Sequence, residues 1–268
     1  MRIENRRVVI TGGSSGIGLA LAKALGAAGA RVAITGRRAA LLDDAVTDLA
    51  KDGIVAHAIV ADVSTETGRA TTLNDAVAAL GGVDILVNNA GGVRAGRLED
   101  TTEAEIRVTL DVDLLAPILL TQTALPLLRQ SGEAMVINVA SGIALIGMPF
   151  YATYAAVKAG LARFGEALRR ELHDEGVHVM TVYPGATDTP MMQTSKAGPD
   201  LGFVREPASA VADAIVDGIR KGSFEVIRGG EARAKMIALN RDDPAALDSR
   251  FGGIKSQLAE AVRDHTAL

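Results

Sequence analysis

The sequence predicts an α/β fold, a doubly wound, seven-stranded parallel sheet with helices on both faces. Short apolar runs of strand length alternate with longer segments of helical period along most of the chain. The runs are nearly continuous in Val and Ile rather than interleaved with polar residues. A strand that is apolar on both sides needs helices above and below it, the setting of a parallel sheet. The first run also leads straight into a glycine-rich turn and a helix, which marks the functional edge.

The strands fall at Val8–Thr11, Arg31–Thr35, Val55–Val60, Ile85–Asn88, Met135–Ala140, His178–Tyr183 and Phe224–Arg228. Helical periodicity runs from Ile17 to Ala28, where Gly29 ends it, from Ala39 to Lys51, and from Glu66 to Leu80, closed by Gly81 and Gly82. A longer helical stretch from about Thr102 to Gln130 should kink at Pro117, which lacks the N–H for an internal bond. Residues 187–205 have no period and read as a substrate loop or lid. Residues 231–268 set Met236, Ile237, Leu239, Phe251, Ile254, Leu258 and Val262 among charges at helical intervals, predicting an amphipathic helical extension. With no repeat or linker, residues 1–268 read as one domain.

Composition excludes several classes. The 28 basic and 32 acidic residues leave a net charge of −4, and aromatics make up 3% with no Trp, so nucleic acid is not an expected partner. No cysteine is present, which removes disulfides and thiolate metal sites. His173 and His178 flank Asp174 and Glu175, but this reads as a solvated helix end before a strand, so no metal is expected. The apolar run before Thr11 is too short for a signal peptide, and a cytoplasmic protein is expected. The uncharged stretch between Glu133 and Lys158 is broken by Asn138, Ser141, Gly142, Gly147 and Pro149, so it reads as strand, loop and helix start rather than a membrane span.

Three motifs carry chemistry. In Thr11-Gly12-Gly13-Ser14-Ser15-Gly16-Ile17-Gly18 a glycine-rich turn lets the backbone approach a pyrophosphate held against the free N–H groups of the helix that follows. The second strand ends in Thr35-Gly36-Arg37-Arg38, with no acid before Asp43. A carboxylate there suits a ribose 2′-hydroxyl, whereas guanidinium groups suit a 2′-phosphate, so NADP is expected rather than NAD. Tyr154 and Lys158 share one helical face, where the ammonium favours a tyrosinate and lets a phenol of pKa about 10 exchange protons near neutrality. Tyr151 has only Ala155 four residues on and reads as pocket wall or core. Ser141 falls just past a strand end, at the ligand-binding edge.

Together these residues resemble the short-chain dehydrogenase/reductases in their compact single-domain branch, over roughly residues 6 to 230. Thr11-Gly12-x-x-x-Gly16-x-Gly18, Asp62-Val63, Asn88-Asn89-Ala90-Gly91, Ser141, Tyr154-x-x-x-Lys158 and Pro184-Gly185 stand in that family's order and spacing. The resemblance implies a Rossmann fold in which Asp62 and Val63 hold the adenine end, Asn89, Ala90 and Gly91 line the cleft, and Pro184, Gly185, Thr187 and Thr189 border the nicotinamide. By the same resemblance Ser141 binds the substrate oxygen, Tyr154 exchanges its proton, and Lys158 binds the nicotinamide ribose. It implies a homodimer or homotetramer as well. The family's Asn on the lysine's proton relay is matched here by Asp113, whose charge would oppose the effect of Lys158 on Tyr154.

The implied activity is the NADP(H)-dependent interconversion of a carbonyl and a secondary alcohol. Ile143, Tyr151, Met191, Met192 and Phe203 suggest an apolar pocket for a hydrophobic ketone, aldehyde or 3-oxoacyl group. The alternatives are a non-catalytic dinucleotide-binding sensor or scaffold and an isomerase or dehydratase on the same fold.

Overall fold

A computed structural model describes residues 1–268. Its main sheet contains β1 (Arg7–Thr11), β2 (Arg31–Gly36), β3 (Ala56–Val60), β4 (Ile85–Asn88), β5 (Ala134–Val139), β6 (Val177–Tyr183) and β7 (Glu225–Ile227). All are parallel, in the spatial order β7-β6-β5-β4-β1-β2-β3. The helices are α1 (Gly16–Ala27), α2 (Ala39–Lys51), α3 (Glu66–Leu80), α4 (Glu103–Leu110), α5 (Ala116–Gln130), α6 (Ala152–Glu171), α7 (Ala208–Lys221), α8 (Gly230–Asp242) and α9 (Pro244–Val262).

Strand side chains alternate between two apolar layers, which is why the runs carry no polar partner face. Val8 and Ile10, Val32 and Ile34, and Ile85 and Val87 pack with Leu21 and Leu25 of α1, Leu42 of α2 and Ile215 of α7. Val9, Ala33 and Leu86 point the other way, onto Leu73 of α3, Leu120 and Leu128 of α5, and Leu168 of α6. Each fully buried Val, Leu or Ile among them contributes about 1.5–3 kcal/mol. The segment Glu103–Gln130 has the length and apolarity of a membrane span, yet Leu120, Ala124 and Leu128 are buried in this second layer.

That long helix departs from the expected kink at Pro117. It widens one turn earlier, over Asp111–Leu115, into a π-helix in which the Ala116 N–H donates to the Asp111 carbonyl. Proline at 117 cannot donate to the carbonyl of Asp113 four residues back, and its ring would crowd it; the wider turn relieves both. The helix start matches its sequence signal, since Thr102 and Glu105 form a reciprocal capping box.

The extension folds back onto its own chain. Leu247 and Phe251 bury against Ile146, and Leu258 and Val262 against Val93, Ile143 and Tyr151. Thr266–Ala267 then pairs antiparallel with Val93–Arg94. Residues 187–205 are less shapeless than expected: Thr187–Asp188 pairs with Glu206–Pro207, and short 3-10 turns lie at Pro190–Met192 and Pro199–Leu201.

Candidate active site

The strand order reverses between β1 and β4, and at their carboxyl ends the glycine-rich turn opens a cleft of about 340 Å3. Gly16 adopts φ +54°, a left-handed backbone. A Cβ at Gly18 would fall 2.3 Å from the Gly12 carbonyl oxygen and 2.6 Å from Asn89 Nδ2, so the helix can start this close to the turn only without a side chain there. Ser15, the N-cap of α1, makes no side-chain cap bond, which leaves the first-turn N–H groups to a ligand. Gly12, Ser14, Ser15, Gly16 and Ile17 line the cleft.

Thr11 and Gly18, both expected at the cofactor, stand behind the residues that line the cleft. The Thr11 hydroxyl accepts the N–H groups of Asn89 and Ala90, each at 2.9 Å, and donates to the Val87 carbonyl at 3.2 Å. It thereby fixes the segment after β4 against β1. Asn89 Nδ2 in turn donates to the Thr11 and Gly12 carbonyls at 2.9 and 3.2 Å, while Asn89, Ala90 and Gly91 themselves line the cleft.

At one end of the cleft stand Arg37 and Arg38, both exposed. Of the nearby acids, Asp48 of α2 pairs with Lys51, and Asp52, just past the helix, with Lys23. Asp62 and Val63 line the same end, where Asp62 Oδ1 accepts the N–H and hydroxyl of Ser64 at 3.0 and 2.7 Å. Backbone donors, small residues and free guanidinium groups in one cleft fit a phosphorylated dinucleotide.

Ser141, Tyr154 and Lys158 meet midway along the cleft. The Ser141 hydroxyl accepts the Ile143 N–H at 3.3 Å. Lys158 Nζ lies 5.7 Å from the centre of the Tyr154 ring and donates to the Val139 carbonyl at 3.2 Å. Asp113, in the π-turn, has no surface in the cleft; its Oδ1 is 2.9 Å from Lys158 Nζ and its Oδ2 accepts the Gly92 N–H at 3.0 Å. Asp113 is therefore a positioning residue behind Lys158 rather than a catalytic one.

The electrostatics follow from burial and this pair. Burial pushes the Asp113 carboxyl up, against the pull of Lys158 and Gly92. Burial would lower the Lys158 pKa, but Asp113 and Tyr154 outweigh it and hold the ammonium protonated. The Tyr154 phenol is pushed up by burial and by Asp113, while Lys158 and the Ser141 hydroxyl pull it down.

The far end is walled by Ile143, Met148, Met191, Met192 and Phe203. Tyr151 is buried among them, with its ring 6.4 Å from Phe203 and 6.0 Å from His265, the pocket-wall place expected of it. Thr187, Thr189, Pro184 and Gly185 line the side opposite. Two lining side chains from the extension carry no sequence signal: His265, just ahead of the strand Thr266–Ala267, and Arg233, from α8. His265 sits 3.1 Å from the Thr194 hydroxyl, and burial, with Arg205 nearby, lowers its pKa to about 4.

Residues 6–200 match the short chain dehydrogenase family. The chain is 32% identical over 253 residues to the ketoacyl reductase HetN of Nostoc sp., covering 92% of this chain and 88% of that one. It is also 32% identical to a 3-dehydrosphinganine reductase of Arabidopsis thaliana, over 84% of this chain and 70% of the relative. Among solved structures, a short chain dehydrogenase of Burkholderia cenocepacia in complex with NADP superposes with a TM-score of 0.76 at 33% identity, covering 86% and 98% of the two chains. The protein thus belongs to the short-chain dehydrogenase/reductases and is an NAD(P)-dependent oxidoreductase.

Proposed function

We propose that the protein is an NADP(H)-dependent reductase that interconverts a carbonyl and a secondary alcohol on a small, largely apolar substrate. The observation that carries this reading is the meeting of Ser141, Tyr154 and Lys158 in the cleft that begins at the glycine-rich turn. The N–H groups of Ser15 to Ile17 would hold the pyrophosphate, Arg37 and Arg38 a 2′-phosphate, and Asp62 and Val63 the adenine. Asn89, Ala90, Gly91, Pro184, Gly185, Thr187 and Thr189 would border the nicotinamide. The NADP complex of the Burkholderia relative supports NADP binding, and the two arginines at the end of β2 favour it over NAD.

When bound, the nicotinamide supplies or accepts the hydride. Ser141 donates its hydroxyl hydrogen to the substrate oxygen and fixes the carbonyl beside Tyr154. Tyr154 gives its proton to that oxygen in reduction and takes it back in oxidation. Lys158 stabilises the tyrosinate as a fixed cation and binds the nicotinamide ribose. Two relatives named as reductases of keto compounds support the carbonyl substrate. Exposed Val108, Leu110 and Leu115 offer a homodimer or homotetramer an apolar face.

The test follows loss of NADPH absorbance over a panel of hydrophobic ketones, aldehydes and a 3-oxoacyl thioester, with NADH in parallel. Tyr154→Phe should lower turnover about 10^2- to 10^4-fold with cofactor affinity kept. NADPH binding without turnover on any substrate would instead favour a sensor or scaffold.

A further inference from the structure

Arg233 is the one cation facing the substrate end of the cleft that no other part of the protein uses. Six other arginines are partly covered, and each has a partner. Arg6, Arg7, Arg94 and Arg228 pair with Glu133, Asp84, Glu105 and Glu206. Arg69 donates to the Val63 and Ser64 carbonyls, and Arg169 lies over the Phe224 ring. Arg233 is covered to a similar degree, yet burial is the sole influence on its pKa, with no acid to offset it. A guanidinium so placed is left with donors that a ligand can take up.

Its position is set by two glycines. Gly229 precedes α8 with φ +104°, and a Cβ there would come within 3.0 Å of the Arg233 Cβ. The guanidinium then lies against Gly142, where a Cβ would fall 2.5 Å from Nη1. Gly142 follows Ser141 directly, so the positive charge sits one residue from the hydroxyl that holds the substrate oxygen. Among the groups lining the cleft, the four cations Arg37, Arg38, Lys158 and Arg233 are met by a single carboxylate, Asp62, which lies at the end held by Arg37 and Arg38, away from Arg233. Arg37 and Arg38 serve the cofactor end and Lys158 is held by Asp113.

We infer that Arg233 is an anion subsite for the substrate, which is an oxo acid: its carboxylate pairs with this guanidinium while its carbonyl oxygen lies on Ser141 and Tyr154. The apolar body rests on Met148, Tyr151 and Phe203. This rests on the reductase reading and names its substrate class. Arginine suits the task because its planar fork meets a carboxylate with two parallel hydrogen bonds.

The experiment compares 2-, 3- and 4-oxo acids bearing a phenyl terminus with their methyl esters, in wild type, Arg233→Met and Arg233→Lys. Methionine keeps the apolar stem and lysine keeps the charge. Turnover is followed with NADPH, and binding separately, by the change in NADPH fluorescence when each compound is titrated into the enzyme–NADPH complex. The expected result is a preference for one acid over its ester that falls about ten- to hundredfold in Arg233→Met and partly returns in Arg233→Lys. Equal use of acid and ester by wild type, or equal losses on both in Arg233→Met, overturns the anion subsite and leaves the reductase standing. Weakened NADPH binding in Arg233→Met also overturns it, by assigning the guanidinium to the cofactor. Acid binding that depends on Arg233 without any turnover keeps the subsite and removes the reductase reading.

Discussion

Lys158 Nζ lies 2.9 Å from Asp113 Oδ1, with the two side chains 5% and 0% exposed. Neither charge is solvated, so each is tolerated because of the other. The backbone keeps the pair closed: a Cβ at Gly91 would fall 2.5 Å from Asp113 Oδ1 and 3.2 Å from Lys158 Nζ. Tyr154 therefore senses a cation whose field is partly cancelled by the anion behind it.

That geometry fixes a sign for Asp113→Asn. The carboxylate raises the Tyr154 pKa, so its removal lowers it. With alcohol oxidation followed as a function of pH, the acidic limb, where the tyrosine must be ionised, should move to lower pH in the variant. An unmoved limb would show that Asp113 is electrically silent at Tyr154.

Gly18→Ala places a methyl 2.3 Å from the Gly12 oxygen. Helix α1 and the turn must separate, at a cost of about 1–3 kcal/mol. Urea unfolding should show that loss, and NADPH titration should show weakened binding in the fraction that folds.

His265 couples the extension to pH. Its pKa falls from 6.5 to about 4 through burial. The unfolded chain therefore binds the proton first as pH drops, and stability declines from about pH 6.5 toward pH 4. The residue is 1% exposed, and the loss at pH 5 is about 2 kcal/mol relative to pH 7. The urea midpoint of His265→Gln should fall less than that of wild type between those two pH values.

Asp84, just ahead of β4, acts at the amino ends of the strands and over a different range. Burial alone would raise its pKa, but Arg7 and the Ser131 hydroxyl outweigh it and hold it at about 2 instead of 3.8. The stabilisation is present above pH 3.8 and is lost as pH falls through 2, about 2 kcal/mol in all. An acid titration followed by circular dichroism should lose that part of its limb in Asp84→Asn.

Local pattern made most of this molecule legible. The strands and the glycine-rich turn are spelled by contiguous residues, and Tyr154 with Lys158 by helical spacing, so each could be placed from its neighbours alone. Pro117 announced a disturbance, but its position as a π-turn depends on where a widened turn relieves the carbonyl of Asp113. Thr11 and Gly18 looked like ligand contacts because they belong to the motif, whereas packing puts them a layer behind the wall. Arg233 and His265 belong to a segment whose helical period says only that it docks. Where it docks is decided by Leu258 and Val262 meeting Val93 and Tyr151, a contact between distant parts of the chain.

The pairing of Thr266–Ala267 with Val93–Arg94 has a practical side. A Cβ at Gly92 would come within 3.4 Å of the Leu268 Cα, so anything fused after Leu268 leaves from beside Gly92, whose N–H is bonded to Asp113. An affinity tag or reporter at that position would tug on the strand that directly follows His265, and kinetics recorded on such a fusion would describe an altered pocket. A tag placed ahead of Met1, near the Ile219 carbonyl on the α7 side, leaves the cleft untouched.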